Sequence, residues 1–454
     1  MESRCFLTRY GGMDLMRLSE GRRPGGEVRA LRIAICLAFF LCAVRVCPAY
    51  SVLTHEEVVD LLWRDQIQPL LKKRFPSATE DDLRKAHAFA YGGCVIQDMG
   101  YYPFGSKYFS DLVHYVRSGD FVENLIHESS NLDDYAFALG ALSHYAADNS
   151  GHPTINRVVA IEFPKLAKKY GEQVNYADDP KAHIRTEFGF DMVQVAKNRY
   201  TSDRYHDFIG FEVSKDLLDR AFFDTYSLHL KDVFGDTDLA IGTLRRSVSV
   251  VIPEMTRVAL LARKQEIVKD TPNFHKQEFL YYLSRKSYEK EWGKGYRKPG
   301  AGTRVLAFFL RLIPKVGPFS ALAFKIPTTR TEDMYIKSVD LTVQDYGNLL
   351  HETRVEELQL PNKDCDTGHD TRAGEYLLTD KAYERLLGQL AKSNFEHLTP
   401  QLQKNILEFY SNLNAPIWTK RNKKAWTETL ANLEKLRAAP AEPLEPVKVS
   451  GSVL

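Results

Sequence analysis

The stretch DDYAFALGALSHYAADNSGH, Asp133 to His152, decides the fold: apolar residues recur three and four apart along its whole length. That is the period of a helix packed into a core. HEEVVDLLWRDQIQPLLKKRF (55–75) and DPKAHIRTEFGFDMVQVAKNRY (179–200) repeat the pattern. Further helices are predicted over 214–230, 238–265, 275–290, 331–358, 376–392 and 400–412, with one more near 423–437. Strand-like alternation is scarce, so the fold class is all-α, a multi-helix bundle with additional C-terminal helices.

The chain has 454 residues, 44% of them hydrophobic, enough for a sizeable core. Its formal charge is +2, but residues 1–49 hold 8 basic against 4 acidic side chains, leaving 53 against 55 elsewhere. Bulk charge therefore gives no support to a cationic binder of nucleic acid.

IAICLAFFLCAV (33–44) is apolar and uncharged, preceded by Arg22, Arg23, Arg29 and Arg32 and followed by small residues near Cys47 and Ala49. This reads as a cleaved signal peptide over 1–49, with a mature chain beginning at Tyr50 in a secreted or periplasmic setting. Four of the six cysteines fall in that leader, leaving Cys94 and Cys365, which could pair in an oxidising compartment.

Loops are marked by YYPFGSKY (101–108), KGYRKPGAGT (294–303) and LPNKDCDTGHDTRAG (360–374), the last an excursion between helices. The tail 439–454 has three prolines and no apolar period, and is predicted to be disordered. RVLAFFLRLIPKVGPFSALAFKI (304–326) is unusually apolar, but Pro314, Gly317 and Pro318 divide it into pieces too short to span a bilayer. It reads as a buried hairpin or a membrane-contacting surface.

His144, Asp148 and His152 stand four residues apart. On a helix they turn by about 40° per step and share a face. Chance predicts only about 0.05 occurrences of His and acid in this spacing. His183, Glu187 and Asp191 form a second such series on the next long helix. Imidazoles and carboxylates on facing helices are the usual material of a zinc site, with a carboxylate able to bridge two metals. His55, Asp98 and His114 are bland when taken singly. His87, His127, His206, His229, His275, His351, His369 and His397 lack spaced partners and read as surface or structural residues, His127 being the one among them best placed to displace His114.

Taken in order, His55, Asp98 with His114, HYAADNSGH and HIRTE resemble the zinc-dependent phospholipase C family and its relative, the glycosylphosphatidylinositol-specific phospholipase D; fungal zinc nucleases share the scaffold more distantly. The resemblance covers about residues 50–200 by motif and implies an all-α bundle holding up to three zinc ions (Zn2+). It places Asp98, His114, His144 and Asp148 around one zinc, and His152, His183 and Glu187 around a second. The third would take the amine and carbonyl of Tyr50, with His55 and the bridging Asp148. Two features depart from the pattern: Tyr50 stands where the family commonly has Trp, and three residues rather than five separate Asp148 from His152. The shorter spacing is similar to the phospholipase D relative, as is EFGFD after His183, which makes Asp191 an extra ligand or a support.

By this resemblance the expected function is a secreted zinc-dependent phosphodiesterase acting on phospholipid, with peripheral membrane contact and no nucleic-acid partner. Zinc would acidify water toward pKa ~7 and polarise the phosphoryl oxygens. Asp98 would act as base as well as ligand. The alternatives are a single-strand nuclease on the same scaffold, which wants a basic groove, and a non-catalytic helical binding protein. The domains follow as a leader (1–49), a phospholipase C-like helical domain (50–270), a helical accessory region (271–438) and a tail (439–454).

Overall fold

The structure, a computed structural model, describes residues 51–197, 211–252 with 255, 256 and 259, and 324–443. The leader with Tyr50, the helix at 275–290, the loop at 294–303, most of 304–326 and the tail from 444 lie outside the described residues.

Helices dominate, and each begins where the local chemistry favours it. The series 55–75 is interrupted: α1 (Val52–Leu62) passes through a wide π turn at Trp63–Ile67 into α2 (Gln68–Arg74). Pro69 has no N–H to return to the preceding turn, and the wider turn absorbs the mismatch. Thr79 and Asp82 close a capping box at the start of α3 (Glu80–Gly93), each side chain accepting from the other's backbone N–H. A 3₁₀ turn, Gln97–Tyr101, leads to α4 (Lys107–Tyr115) and α5 (Ser118–Glu128).

The opening stretch becomes the centre of the molecule. Asn131 caps α6 (Leu132–Glu162), a helix of 31 residues with Pro153 inside it. After α7 (Pro164–Tyr170), Asp179 caps α8 (Pro180–Ala196), with Pro180 at its first position. Then come α9 (Lys215–Tyr226), α10 (Leu230–Val233), α11 (Thr237–Arg246), and, in the C-terminal part, α12 (Thr329–Arg354), α13 (Leu377–Lys392), α14 (Pro400–Phe409) and α15 (Lys423–Ala438).

α3 and α12 both lie against α6. A Cβ on Gly140 would stand 2.0 Å from the Ala90 carbonyl oxygen, and one on Gly93 would stand 1.9 Å from that of Phe137. α3 and α6 therefore cross backbone to backbone. Gly140→Val is expected to force them apart at a cost of about 3 kcal/mol or more, read as a lowered melting temperature. On the other side, Tyr346 of α12 donates its hydroxyl to the Leu139 carbonyl at 2.9 Å. One core cluster takes in Val58, Phe137, Leu218, Tyr346, Leu386, Leu402 and Leu433, so both ends of the described chain pack into the same interior.

Three expectations need correction. The 360–374 excursion contains a short antiparallel ladder, β1 (Lys363–Asp364) with β2 (His369–Asp370), because Gly368 at φ 71° supplies the left-handed residue that its turn requires. Cys94 and Cys365 are both buried and unbridged. The first tail residues are held rather than loose: Glu442 N–H donates to the Leu398 carbonyl at 3.0 Å, and Gln403 Nε2 to that of Ala439 at 3.1 Å.

Candidate metal centre

His55 comes from α1, Asp98 from the 3₁₀ turn, His114 from α4, and His144, Asp148 and His152 from α6. His183 and Glu187 come from α8. None of the eight is more than 3% exposed. Eight ionisable groups buried together need partners strong enough to offset their lost hydration.

The histidines are oriented by the backbone. His114 Nδ1 donates to the Ser110 carbonyl at 2.8 Å, His144 Nδ1 to that of Cys94 at 2.8 Å, and His152 Nδ1 to that of Cys365 at 2.6 Å. His183 is turned the other way, with Nε2 on the Val174 carbonyl at 2.6 Å and Nδ1 facing Glu187 Oε1 at 3.3 Å. In each neutral ring one nitrogen is thus fixed as donor, and the other presents its lone pair. This is the usual outer support of a metal-binding imidazole.

The presented atoms converge. Asp148 Oδ2 lies 3.2 Å from His144 Nε2 and 3.4 Å from His114 Nε2, while Oδ1 lies 3.6 Å from His55 Nε2. The two Nε2 atoms of His114 and His144 are 3.3 Å apart, and Asp98 Oδ1 is 3.5 Å from His114 Nε2. The His55 ring stacks on His144 at 4.3 Å. Both oxygens of Asp148, Oδ2 of Asp98 and Oε2 of Glu187 are buried without a hydrogen-bond donor. Lone pairs and unpaired carboxylate oxygens facing one another need a cation between them, and this donor set fits zinc.

Two triplets close within 4.8 Å, His55 with Asp98 and His144, and His114 with His144 and Asp148, so that His144 serves both. His152, His183 and Glu187 form a looser group beside them, with the His152 and His183 rings edge to face at 6.3 Å.

Burial and the neighbouring charges compete in the protonation of these groups: burial would lower His114 and His144, but the carboxylates of Asp148 and Asp98 raise both above the usual imidazole range in the metal-free site. Burial wins at Glu187 and Asp98. It pushes Glu187 well above the usual carboxylate range, reinforced by the nearby Asp98 and Asp148, and it raises Asp98. In Asp148 burial is outweighed by His144 and His114, which hold it well below that range. Burial, then His152, pushes His183 down to about 4. A histidine lowered from 6.5 in the unfolded chain stabilises the fold fully above pH 6.5 and loses that contribution as the pH falls through 4. The shift corresponds to about 3 kcal/mol. Acid unfolding of the metal-free protein is expected to weaken over that window on His183→Gln, as followed by circular dichroism.

The structure also places other residues. Of the two roles expected for Asp191, the contacts fit the support: its carboxylate accepts from Leu53 N–H at 3.2 Å and from the Thr54 hydroxyl at 2.6 Å, holding the first turn of α1 just before His55. His127 does not displace His114, and lines a surface pocket with Lys73, Arg74 and Arg354. His87 is structural as read, stacked on Trp63 at 3.8 Å and bonded to Asp60 at 2.8 Å. Sequence reasoning missed the β1–β2 hairpin: Cys365 supplies the carbonyl that orients His152, and Asp366 Oδ1 lies 3.5 Å from His152 Nδ1. No helical spacing links Asp366 to the ligands, so periodicity carried no signal for it.

Fold and site together define a helical protein built around a buried histidine–carboxylate cluster able to hold metal. Residues 54–236 match the zinc dependent phospholipase C family, and form a domain of that family of zinc hydrolases. The match takes in every ligand candidate from His55 to Glu187 and ends before α12. A search of curated proteins and of solved structures finds no match.

Proposed function

We propose that the chain is a secreted phosphodiesterase that hydrolyses phospholipid, with His55, Asp98, His114, His144, Asp148, His152, His183 and Glu187 holding zinc and Tyr50 adding its amine and carbonyl once the leader is removed. The observation that carries the metal reading is that His114 and His144, each bonded to a backbone carbonyl through Nδ1, turn their Nε2 atoms onto Asp148, whose two oxygens have no hydrogen-bond donor. The family match supports phosphodiester chemistry.

When bound, zinc would supply an acidified water and charge stabilisation for phosphoryl oxygens. The chain's own residues do the rest. Asp148, reached from three histidines, holds the site's negative charge in a fixed place. Asp98 keeps Oδ2 without a donor, and burial raises its basicity, so it is placed to take the proton of the attacking water. That water's oxygen bonds to phosphorus as the bond to the diacylglycerol oxygen breaks, and the leaving oxygen takes up a proton.

The near-neutral mature chain and the apolar 304–326 segment favour a lipid substrate over nucleic acid. No helix among the described residues is long and apolar enough to cross a membrane. The test is to offer the full mature chain phosphatidylcholine vesicles and single-stranded nucleic acid in parallel. Release of phosphocholine, abolished by a zinc chelator and restored by zinc, is the expected result. Release of choline would move the cleavage to the D position, and hydrolysis of nucleic acid with lipid untouched would overturn the reading.

A further inference from the structure

We propose that Asp366, outside the segment matched to the family, is a positioning residue of the metal centre: it fixes the His152 ring and makes the C-terminal hairpin part of the site. The inference rests on the reading of His152 as a metal ligand.

Asp366 is buried and held from several sides. Its Oδ2 accepts from the Tyr115 hydroxyl at 2.8 Å and from that of Tyr376. Its backbone N–H donates to Asp364 Oδ1 at 3.0 Å, and its carbonyl accepts from Asn156 Nδ2 at 2.9 Å. Oδ1 is left directed at His152 Nδ1, 3.5 Å away, while that nitrogen donates to the Cys365 carbonyl at 2.6 Å. The hairpin is tied to a second ligand as well, since Cys365 N–H donates to the His114 carbonyl at 3.1 Å.

The seat for this hairpin is cut into α6. Pro153 cannot donate to the Asn149 carbonyl one turn back, and Gly368 comes in at that point. A Cβ on Gly368 would lie 2.5 Å from the Asn149 oxygen and 3.1 Å from the Pro153 ring. The hydrogen bond that α6 lacks one residue after His152 and the glycine at the hairpin turn therefore fit each other.

A carboxylate next to the far nitrogen of a metal-binding imidazole fixes its tautomer and raises its basicity, and removing such a partner typically costs ten- to a hundredfold in metal affinity. Asp364 provides the control. It is equally buried in the same hairpin, but bonds Thr379 at 2.8 Å rather than a histidine.

The experiment measures zinc affinity of the full mature chain by competition with a chromophoric chelator, together with melting of the metal-free protein. Asp366→Asn keeps the shape and an acceptor for the tyrosines while removing the charge. It is expected to weaken zinc binding by about tenfold or more. Asp364→Asn should change it by less than about threefold, whatever it does to melting. Equal losses in the two variants, or none in Asp366→Asn, would overturn the proposal. Should Asp366→Asn not fold, Tyr376→Phe serves instead, with a loss of about threefold expected and an unchanged affinity overturning the proposal. A wild-type chain that binds no zinc would instead remove the metal reading, and this inference with it.

Discussion

Asp148→Asn is expected to strip the protein of zinc and to lower phosphodiesterase activity by about a thousandfold or more. Asp148 lies 3.2–3.6 Å from the Nε2 atoms of three histidines, two of which belong to one tight triplet with it. Asparagine keeps the volume but has one oxygen, no charge, and an NH₂ that must point at nitrogens whose lone pairs face inward. The zinc dependence of the stability effect separates a ligand from a structural residue. In the metal-free protein His144 and His114 hold Asp148 ionised, so the neutral amide loses that attraction and melting should fall with or without zinc. With zinc present, the wild type should gain stability that the variant does not, because binding to the folded state alone is folding free energy. Zinc content after dialysis and paired melting curves measure both. Wild-type zinc content in the variant would remove Asp148 from the ligand set.

The fold class was legible because three- and four-residue spacing is a local property: α8, α12 and α13 begin and end close to where it predicts, and α6 begins there but runs ten residues past His152, to Glu162. That the candidate ligands of α6 share a helix was legible for the same reason, though one face is too coarse a description of them. At about 40° per step, His152 is turned about 80° from His144. That rotation lets His144 join the tight triplets while His152 looks toward Cys365 and Asp366. The support for each histidine was not legible. It comes from carbonyls at Cys94, Ser110, Val174 and Cys365, and a backbone carbonyl carries no mark in the sequence. Asp191 shows the converse limit: the spacing that puts it on the face of His183 and Glu187 was real, yet the start of α1 reaches its carboxylate first.

A chain ended at residue 323 is expected to lose cooperative folding and zinc binding together, although it would retain every ligand candidate and the whole segment matched to the family. α12 packs against α6 and ties three helices at once: Tyr346 donates to the Leu139 carbonyl, Tyr335 stacks on Phe190 of α8 at 4.2 Å, and the Tyr335 hydroxyl meets Thr54 of α1 at 2.6 Å. Tyr346, Leu350, Leu386, Leu387, Leu402 and Ile406 sit in the same cluster as Val58 and Phe137. Each such side chain contributes about 1.5–3 kcal/mol by burial, so six of them match or exceed the whole stability of a typical domain. The truncation would also expose the apolar flank of α6 and remove the hairpin that orients His152. Zinc therefore should not rescue it, which distinguishes this outcome from the loss of a merely stabilising appendage. The check is a denaturant titration with and without zinc, on the truncated and full mature chains side by side. A truncated chain that unfolds in one sharp transition and still binds zinc would show that residues 54–236 and their neighbours are sufficient, and that the C-terminal helices serve another purpose.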